Sequence, residues 1–177
     1  WYFEHRGRRA VAIKNQCSYW RTLRFEDVPE SEATPAFDRW LMQKDGATVA
    51  DRRKVQDFTF HHLIKRAIDF DLPIKIHTGY HAGAGYMDLA NTRPHDLNNI
   101  IRQYPRARFD LFHIGYPYQG EVLALAKHFP NVMADMCWAW IMDPAASLEF
   151  ARGALGALPT NKLFGFGGDY GYADNVY

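Results

Sequence analysis

The chain has 177 residues, of which 47% are hydrophobic and 23% are charged, so it is not a disordered protein, and we expect residues 1–177 to form a single domain around one core. Lysine and arginine number 21 against 20 aspartates and glutamates, and no stretch gathers one sign of charge, which argues against a nucleic-acid-binding surface. Apolar stretches such as residues 131–142 are interrupted, here by Asp135, and are too short to cross a membrane.

Five segments share a layout in which a β-branched or aromatic run leads to a polar or glycine-containing end. They are residues 10–14 (AVAIK), 72–79 (LPIKIHTG), 108–115 (RFDLFHIG), 131–138 (NVMADMCW) and 162–169 (KLFGFGGD). Four helical patterns lie between them: one capped by Thr48 and reaching Asp69, one opened by Pro94 and reaching Gln103, and two at residues 119–129 and 144–158. Residues 25–34 (FEDVPESEAT) are predicted to form an acidic, solvated loop.

Strands that alternate with single helices predict an α/β fold with a parallel sheet. Such a sheet is either an open, doubly wound sheet or a closed (β/α)8 barrel, and both place function at the C-terminal ends of the strands. The glycine motif of a nucleotide-binding open sheet is missing, because Gly83 and Gly85 lie beyond the strand and Asp88 stands where a third glycine is required. This poor match favours a (β/α)8 barrel of the TIM type over a nucleotide-binding open sheet.

Three of the predicted strands end in residues that can bind a metal, namely His77, His113 and Asp169. Alternation along the second strand places His77 on the inner face, pointing into the barrel mouth. The same alternation predicts that His113 lies on the inner face of the third strand, together with Phe109 and Leu111. Each histidine alone could be a hydrogen-bonded rim residue, but three such ends on one rim together predict a metal site.

The last strand end, GFGGDYG, isolates one carboxylate among glycines. Gly165, Gly167 and Gly168 remove side chains where another backbone or a ligand must approach, which leaves Asp169 as the only charge. Because a desolvated carboxylate must be paired, we expect Asp169 to bind a metal, with a salt bridge to a rim lysine or arginine as the alternative.

The motifs IHTG, FHIGYPY and GFGGDYG resemble strands five, six and eight of the amidohydrolase superfamily. The resemblance covers residues 72–177 and is to the branch that includes metal-dependent hydrolases and nonoxidative decarboxylases of the aminocarboxymuconate-semialdehyde type. It implies that His77 is a metal ligand and that His113 is a second ligand or a base beside the metal. It also implies that Asp169 touches the metal and accepts a proton from an activated water, with a divalent cation, zinc foremost, as cofactor.

The chain departs from the superfamily because it contains no His-x-His motif of the kind that strand one supplies. If residues 10–14 form strand four, the sequence covers about strands four to eight, and we expect a partial chain with an exposed or otherwise covered sheet edge along residues 10–14. The sequence also begins without methionine, so we expect further residues before Trp1.

Further residues are predicted to surround the mouth of the barrel and contact substrate. Four of them follow strand ends, with loop packing as the alternative role: Tyr80, His81, Tyr116 and Trp138. Arg21 is a candidate for binding a substrate carboxylate, with a surface ion pair as the alternative. Lys14 occupies the position at which some superfamily members carry a carboxylated lysine; the alternative is an unmodified lysine bonded to substrate or to a neighbouring carboxylate.

We expect a metal-dependent enzyme that hydrolyses a small carboxylated or cyclic substrate with a metal-activated water. The alternatives are a nonoxidative decarboxylase, a uronate-isomerase-like enzyme and a noncatalytic binding module on the same scaffold. The expected partner is a small molecule rather than nucleic acid or a membrane, and a homo-oligomer is compatible with the sequence. Cys17 and Cys137 are too few for a disulfide framework, which favours a reducing, cytoplasmic location.

Overall fold

The computed structural model describes residues 2–43, 47–83 and 85–170 and is built on a five-stranded sheet. The strands lie side by side in chain order: β1 Ile13–Asn15, β2 Ile74–His77, β3 Phe109–Phe112, β4 Val132–Asp135 and β5 Leu163–Phe164. All neighbouring pairs are parallel, which confirms the predicted α/β sheet. Within the described residues β1 is an edge strand, as predicted for the segment at residues 10–14.

Helices connect the strands. The α-helices of the described residues are α1 Tyr2–Arg6, α2 Glu30–Gln43, α3 Val49–Asp69, α4 Asn98–Gln103, α5 Gln119–His128, α6 Ala139–Met142 and α7 Pro144–Ala157. Short 3-10 turns cover Gly7–Arg9, Cys17–Tyr19, Leu89–Thr92, Pro94–Leu97, His113–Gly115 and Thr160–Lys162. The predicted cap of α3 is confirmed, because Thr48 Oγ1 accepts the amide hydrogen bond of Asp51 at 3.0 Å. Among the described helices, none combines the length and the apolar character needed to span a bilayer.

The predicted loop at residues 25–34 is wrong in its second half, because α2 begins at Glu30. The carbonyl of Pro29 accepts the amide hydrogen bonds of Glu32 and Ala33, each at 3.0 Å. Acidic side chains in a first helical turn interact favourably with the helix dipole, so the composition that suggested a solvated loop also suits a helix start. The chain therefore enters a helix where the sequence pattern suggested an irregular segment.

The sheet has one face covered by helices. The strand residues on this outer face are fully buried in one apolar core with α3, α4, α5 and α7: Ile74, Ile76, Phe109, Leu111, Val132 and Ala134. The prediction that Phe109 and Leu111 face the barrel mouth is therefore wrong. The register pairs Ile74 with Phe109 and Ile76 with Leu111, and residues paired across parallel strands point to the same side of the sheet.

The opposite, inner face of the sheet carries charge. The register pairs Lys14 with Lys75, and Lys75 with Asp110, across three adjacent strands. The Lys75 ammonium donates a hydrogen bond to Asp110 and lies 3.5 Å from Asp135 Oδ2. Burial raises the pKa of Asp135 to about 6, with the Asp110 charge as the next cause, and burial also raises the pKa of Asp110. The inner face is thus a charged layer below the strand ends.

Candidate metal centre

Three side chains meet above this charged layer at the C-terminal ends of the strands. One ligand atom from each of His77, His113 and Asp169 lies within 4.8 Å of the other two. His113 Nε2 is 3.2 Å from His77 Nδ1 and 3.5 Å from Asp169 Oδ2. The His77 and His113 side chains are buried, whereas 36% of the Asp169 side chain is exposed. The structure therefore brings together the three residues that the strand ends singled out.

His77 is the last residue of β2, and the loop that follows orients its ring. The chain turns back so that the carbonyl of Tyr80 accepts a hydrogen bond from His77 Nε2 at 2.9 Å. Gly79 makes this turn possible: its φ is +72°, and a Cβ there would lie 2.4 Å from the carbonyl oxygen of Tyr116. The β2 loop and the β3 loop are thus in backbone contact directly beside the histidine.

His113 reaches the site because the backbone leaves the strand conformation at this residue. β3 ends at Phe112, and His113 and Ile114 have φ values of +67° and +51°. Regular alternation would have sent His113 to the helix-covered face with Phe109 and Leu111, but the left-handed turn rotates the ring inward. His113 Nδ1 then donates to the carbonyl of Cys137 at 2.7 Å.

The two imidazoles present bare lone pairs to each other. Burial lowers the pKa of His77 to about 3 and that of His113 to about 4, so both rings are neutral at pH 7. Each neutral ring has one N–H, and in each ring a backbone carbonyl accepts it. His77 Nδ1 and His113 Nε2 are therefore both acceptors at 3.2 Å, with a carboxylate beside them.

The two ring nitrogens cannot form a hydrogen bond with each other, because both are acceptors. Together with the Asp169 carboxylate they provide three lone pairs around one point, which suits a cation. Ligand histidines in proteins commonly donate the second ring N–H to a carbonyl or carboxylate, which fixes the tautomer. Two imidazole nitrogens and one carboxylate oxygen are a donor set that suits Zn²⁺ and other divalent first-row cations. The residues present thus fit a divalent metal.

Asp169 lies in a loop rather than at the end of a strand, because β5 stops at Phe164. The loop is tied to the β4 end by hydrogen bonds from the Trp138 amide to the Gly167 carbonyl at 2.6 Å and from Trp140 Nε1 to the Gly165 carbonyl at 2.8 Å. A Cβ at Gly167 would lie 2.8 Å from Cys137 Sγ. Gly167 therefore allows the close approach that carries Asp169 over the inner face, whereas a Cβ at Gly165 would have no atom within 4 Å, so the predicted close approach is wrong for Gly165.

Lys14 is the charged neighbour of the cluster. Its Nζ is 3.6 Å from Asp169 Oδ1 and 3.8 Å from the centroid of the Phe112 ring. Burial lowers the pKa of Lys14, and the Asp169 charge opposes that change. Both alternatives stated for Lys14, a carboxylated lysine and an unmodified lysine bonded to a carboxylate, remain compatible with this position.

Aromatic side chains stand on the His113 side of the cluster. The Trp138 ring meets the His113 ring edge to face at 5.6 Å, and the Tyr80 ring lies 6.2 Å from Trp138 and 6.3 Å from Tyr116. Tyr80 is partly exposed. These three residues, predicted to contact substrate, form a half-open wall beside the candidate ligands.

On the His77 side, His81 packs under a residue that the sequence did not single out. The Tyr19 ring stacks on His81 at 4.1 Å and meets His77 edge to face at 5.0 Å. His81 Nε2 is 3.1 Å from the hydroxyl of Ser18, and both side chains are buried. Ser18 and Tyr19 lie shortly after the end of β1, as His113 follows the end of β3. A search of every strand end for polar and aromatic residues would therefore have found them.

Arg21 does not join the cluster. Its Nη2 lies 2.6 Å from Asp57 Oδ1 in α3 and donates to the carbonyl of Arg24 at 2.7 Å, and its guanidinium lies 4.4 Å above the Phe25 ring. Arg21 and Asp57 are both buried. The structure thus turns Arg21 toward the helix layer, away from the position that binding a substrate carboxylate beside His77 would require.

Comparisons with known proteins agree with this arrangement. The sequence profile of the amidohydrolase family matches residues 23–172. The fluG protein of Emericella nidulans is 34% identical over 92 residues, which are 51% of this chain and 10% of that protein. The chain therefore spans only a small part of that relative.

Solved structures share the fold. A candidate metal-dependent hydrolase of Lactobacillus casei superposes with a TM-score of 0.74 at 23% identity, over 93% of this chain and 45% of that one. Glucuronate isomerase of Caulobacter crescentus gives 0.66 at 19% identity, over 90% and 36%. An uncharacterised TIM-barrel protein of Bordetella bronchiseptica gives 0.53 at 19% identity, over 90% and 54%. The five strands are thus part of a (β/α)8 barrel fold, as predicted.

The chain spans about half of these structures or less, and at these identities the likeness concerns the fold alone. The family profile, by contrast, covers most of the chain and includes all three residues of the candidate centre. The chain belongs to the amidohydrolase family.

Proposed function

We propose that this protein is a metal-dependent hydrolase that acts on a small carboxylated or cyclic substrate, with a divalent cation, zinc foremost, held by His77, His113 and Asp169. The observation that carries the proposal is the pair of imidazole lone pairs facing each other beside a carboxylate. A divalent cation at such a site supplies Lewis acidity, which lowers the pKa of a water molecule toward ~7 and polarises a carbonyl group.

Asp169 is the proposed general base. Its Oδ2 faces His113, while 36% of the side chain remains exposed, so a water molecule and a substrate can both approach the carboxylate. Accepting a proton from water requires a carboxylate that is ionised and within hydrogen-bond reach of the reacting oxygen. The hydrogen bonds that tie the 165–167 backbone to the end of β4 hold the loop, and with it Asp169, in place.

His113 is the proposed second ligand, with a role as base as the alternative. Its Nδ1–H is fixed on the Cys137 carbonyl, so the only ring atom that can take part is Nε2, which points at His77 and Asp169. A ligand and a base both need this lone pair, and one ring nitrogen serves one role at a time. The Asp169→Asn variant described below tests the role of His113 as base.

The aromatic wall is the proposed substrate pocket. The Trp138 ring meets His113, and the Tyr80 and Tyr116 rings extend the wall from Trp138, so a flat or cyclic substrate would pack against these rings and exclude water from the reacting group. His81 is held by Tyr19 and Ser18 on the other side of His77 and closes the pocket there.

Metal binding is tested in the full-length protein by replacing His77. The His77→Ala variant is expected to bind Zn²⁺ at least about 100-fold more weakly, since it loses one of three ligands, as measured by titration calorimetry and elemental analysis. His62→Ala, on an exposed position of α3, is the matched control and should bind like the wild type. Equal zinc affinity in both variants would rule out the proposed centre.

Proton transfer is tested by Asp169→Asn. The amide cannot accept the water proton, so in variant protein loaded with zinc to the same content as the wild type, turnover should fall by about 10²–10⁴-fold while the fold is kept. The reaction itself is identified by incorporation of ¹⁸O from labelled water into product. Release of CO₂ without ¹⁸O uptake would identify the enzyme as a decarboxylase instead of a hydrolase. Interconversion of isomers would identify it as an isomerase. Retention of near-full activity in Asp169→Asn would transfer the role of base to His113.

A further inference from the structure

The two lysines of the inner face have different partners. Lys75 lies between two carboxylates, with its ammonium hydrogen-bonded to Asp110 and 3.5 Å from Asp135. Lys14, one strand away in the same register, has a single ion-pair partner within the described residues, namely Asp169. The charge of Lys75 is therefore neutralised within the layer below the site, whereas Lys14 lies beside the candidate metal ligands.

The contact of Lys14 with Asp169 leaves the ammonium donors available. The Nζ to Oδ1 distance is 3.6 Å, which is longer than the 2.7–2.9 Å typical of a charge-assisted hydrogen bond. The ammonium also lies 3.8 Å from the Phe112 ring centroid, and a ring face accepts no conventional hydrogen bond. Only 25% of the Lys14 side chain is exposed, so water alone satisfies it poorly.

The charge of Asp169 is also shared. If Asp169 coordinates a divalent cation, its carboxylate is shared between that cation and Lys14, and the imidazoles of His77 and His113 contribute no negative charge. Asp135, the next carboxylate, is held by Lys75 and by the Cys137 amide, which donates to its Oδ1 at 2.7 Å. The rim of the site then carries an excess of positive charge, which an anionic group of a substrate would balance.

We propose that Lys14, as an unmodified ammonium, binds a carboxylate of the substrate and makes the enzyme selective for organic anions. The proposal rests on the function proposed above and gives Lys14 the role that the sequence suggested for Arg21. Because Lys14 Nζ is 3.6 Å from a candidate ligand atom, the bound carboxylate lies close to the reacting bond. The substrate class is therefore small carboxylic acids whose carboxylate is attached near the reacting carbon.

The test uses benzoate and its neutral isostere benzamide as probes of the zinc-loaded, full-length protein. Titration calorimetry should show benzoate binding about tenfold more tightly than benzamide, the gain expected for one charge-assisted hydrogen bond. Lys14→Met should abolish this preference by weakening benzoate about tenfold, while benzamide changes less than about twofold. Lys14→Arg keeps the charge and should retain most of the preference.

Lys65→Met, on an exposed position of α3, is the matched control and should leave both affinities unchanged. Circular dichroism and zinc content, measured for every variant, report folding and the metal site separately from the anion preference. A wild-type protein that binds no zinc contradicts the proposed function. A benzoate preference that still depends on Lys14 in that protein supports the anion-binding role.

Two results overturn the proposal. One is a wild-type protein that binds benzoate no more tightly than benzamide, or a Lys14→Met variant that keeps the full preference. The other is a Lys14→Met variant that loses zinc and recovers it with added acetate, because that outcome assigns a carboxylated lysine to this position.

Discussion

The two faces of the sheet differ in the side chains that they carry. On the outer face the alternate residues of β2, β3 and β4 are apolar and fully buried against helices, among them Ile76 and Phe109. On the inner face β2, β3 and β4 each contribute one charged residue, namely Lys75, Asp110 and Asp135, and the lysine lies between the two carboxylates. The outer face therefore supplies the free energy of folding, whereas the inner face maintains a charged environment beneath the candidate metal centre.

The largest expected effect comes from replacing, one at a time, the two phenylalanines that lie on opposite faces of β3. Phe109→Ala should lower the free energy of unfolding by about 3–5 kcal/mol, because it leaves a cavity in the helix-covered core. Phe112→Ala should cost less, about 2 kcal/mol, since its ring packs against the Lys14 and Lys75 ammonium groups rather than apolar side chains. Urea unfolding of both variants measures the difference, and equal losses would contradict the division between the faces.

The next effect concerns the rim, where backbone contact between loops sets the site. Gly79→Ala combines a φ of +72° with a Cβ 2.4 Å from the Tyr116 carbonyl oxygen, so it should destabilise the fold by about 2 kcal/mol or more. Gly83→Ala is the matched control, because its φ is +96° but no atom lies within 4 Å of the added Cβ. Gly79→Ala should also weaken zinc binding, through displacement of the Tyr80 carbonyl that orients His77. Equal destabilisation of the two variants in thermal unfolding would show that the loop contact is not constrained.

The smallest expected effect tests the charged layer. Burial raises the pKa of Asp135 to about 6, above the ~3.9 of an unfolded aspartate, so between these pH values the folded chain holds a proton that the unfolded chain has released. Stability contributed by this group is therefore lost as the pH rises through the window. Asp135→Asn should nearly match the wild type near pH 4 and exceed its unfolding free energy by about 2 kcal/mol at pH 7.

The pH effect is read as a difference between the two proteins. Burial lowers the pKa of His77 and His113, which gives metal-free protein an opposite slope between about pH 4 and 6.5, and this contribution is common to both. Subtracting the two unfolding curves leaves the Asp135 contribution. If Asp135→Asn were less stable than the wild type at pH 7, the ion pair with Lys75 would fully offset the free-energy cost of burying the ionised Asp135 carboxylate.

The strand positions and the three candidate ligands could be predicted from the sequence because both depend on local patterns. Short apolar runs predict strands, and polar residues at or soon after the ends of parallel strands lie on one rim, which is where His77, His113 and Asp169 are found. The amidohydrolase resemblance is confirmed by the family profile over residues 23–172.

The remaining features depend on contacts that no local pattern contains. His113 turns inward because its φ is positive, and the sequence does not encode a dihedral angle directly. The guanidinium of Arg21 is held by a buried hydrogen bond to Asp57, which lies 36 residues away in α3. The charged layer could have been found from the same patterns, because Asp110 and Asp135 are each the only charged residue of a short strand and Lys75 alternates with Ile74 and Ile76.

The carbonyls that fix the two imidazole tautomers belong to the backbone of Tyr80 and Cys137. Any residue at these positions presents the same carbonyl, provided that the loops keep their course. The ring of Tyr80 meanwhile faces Trp138 at the pocket. A single residue thus serves metal orientation through its main chain and substrate contact through its side chain, and evolution can diversify the second without altering the first.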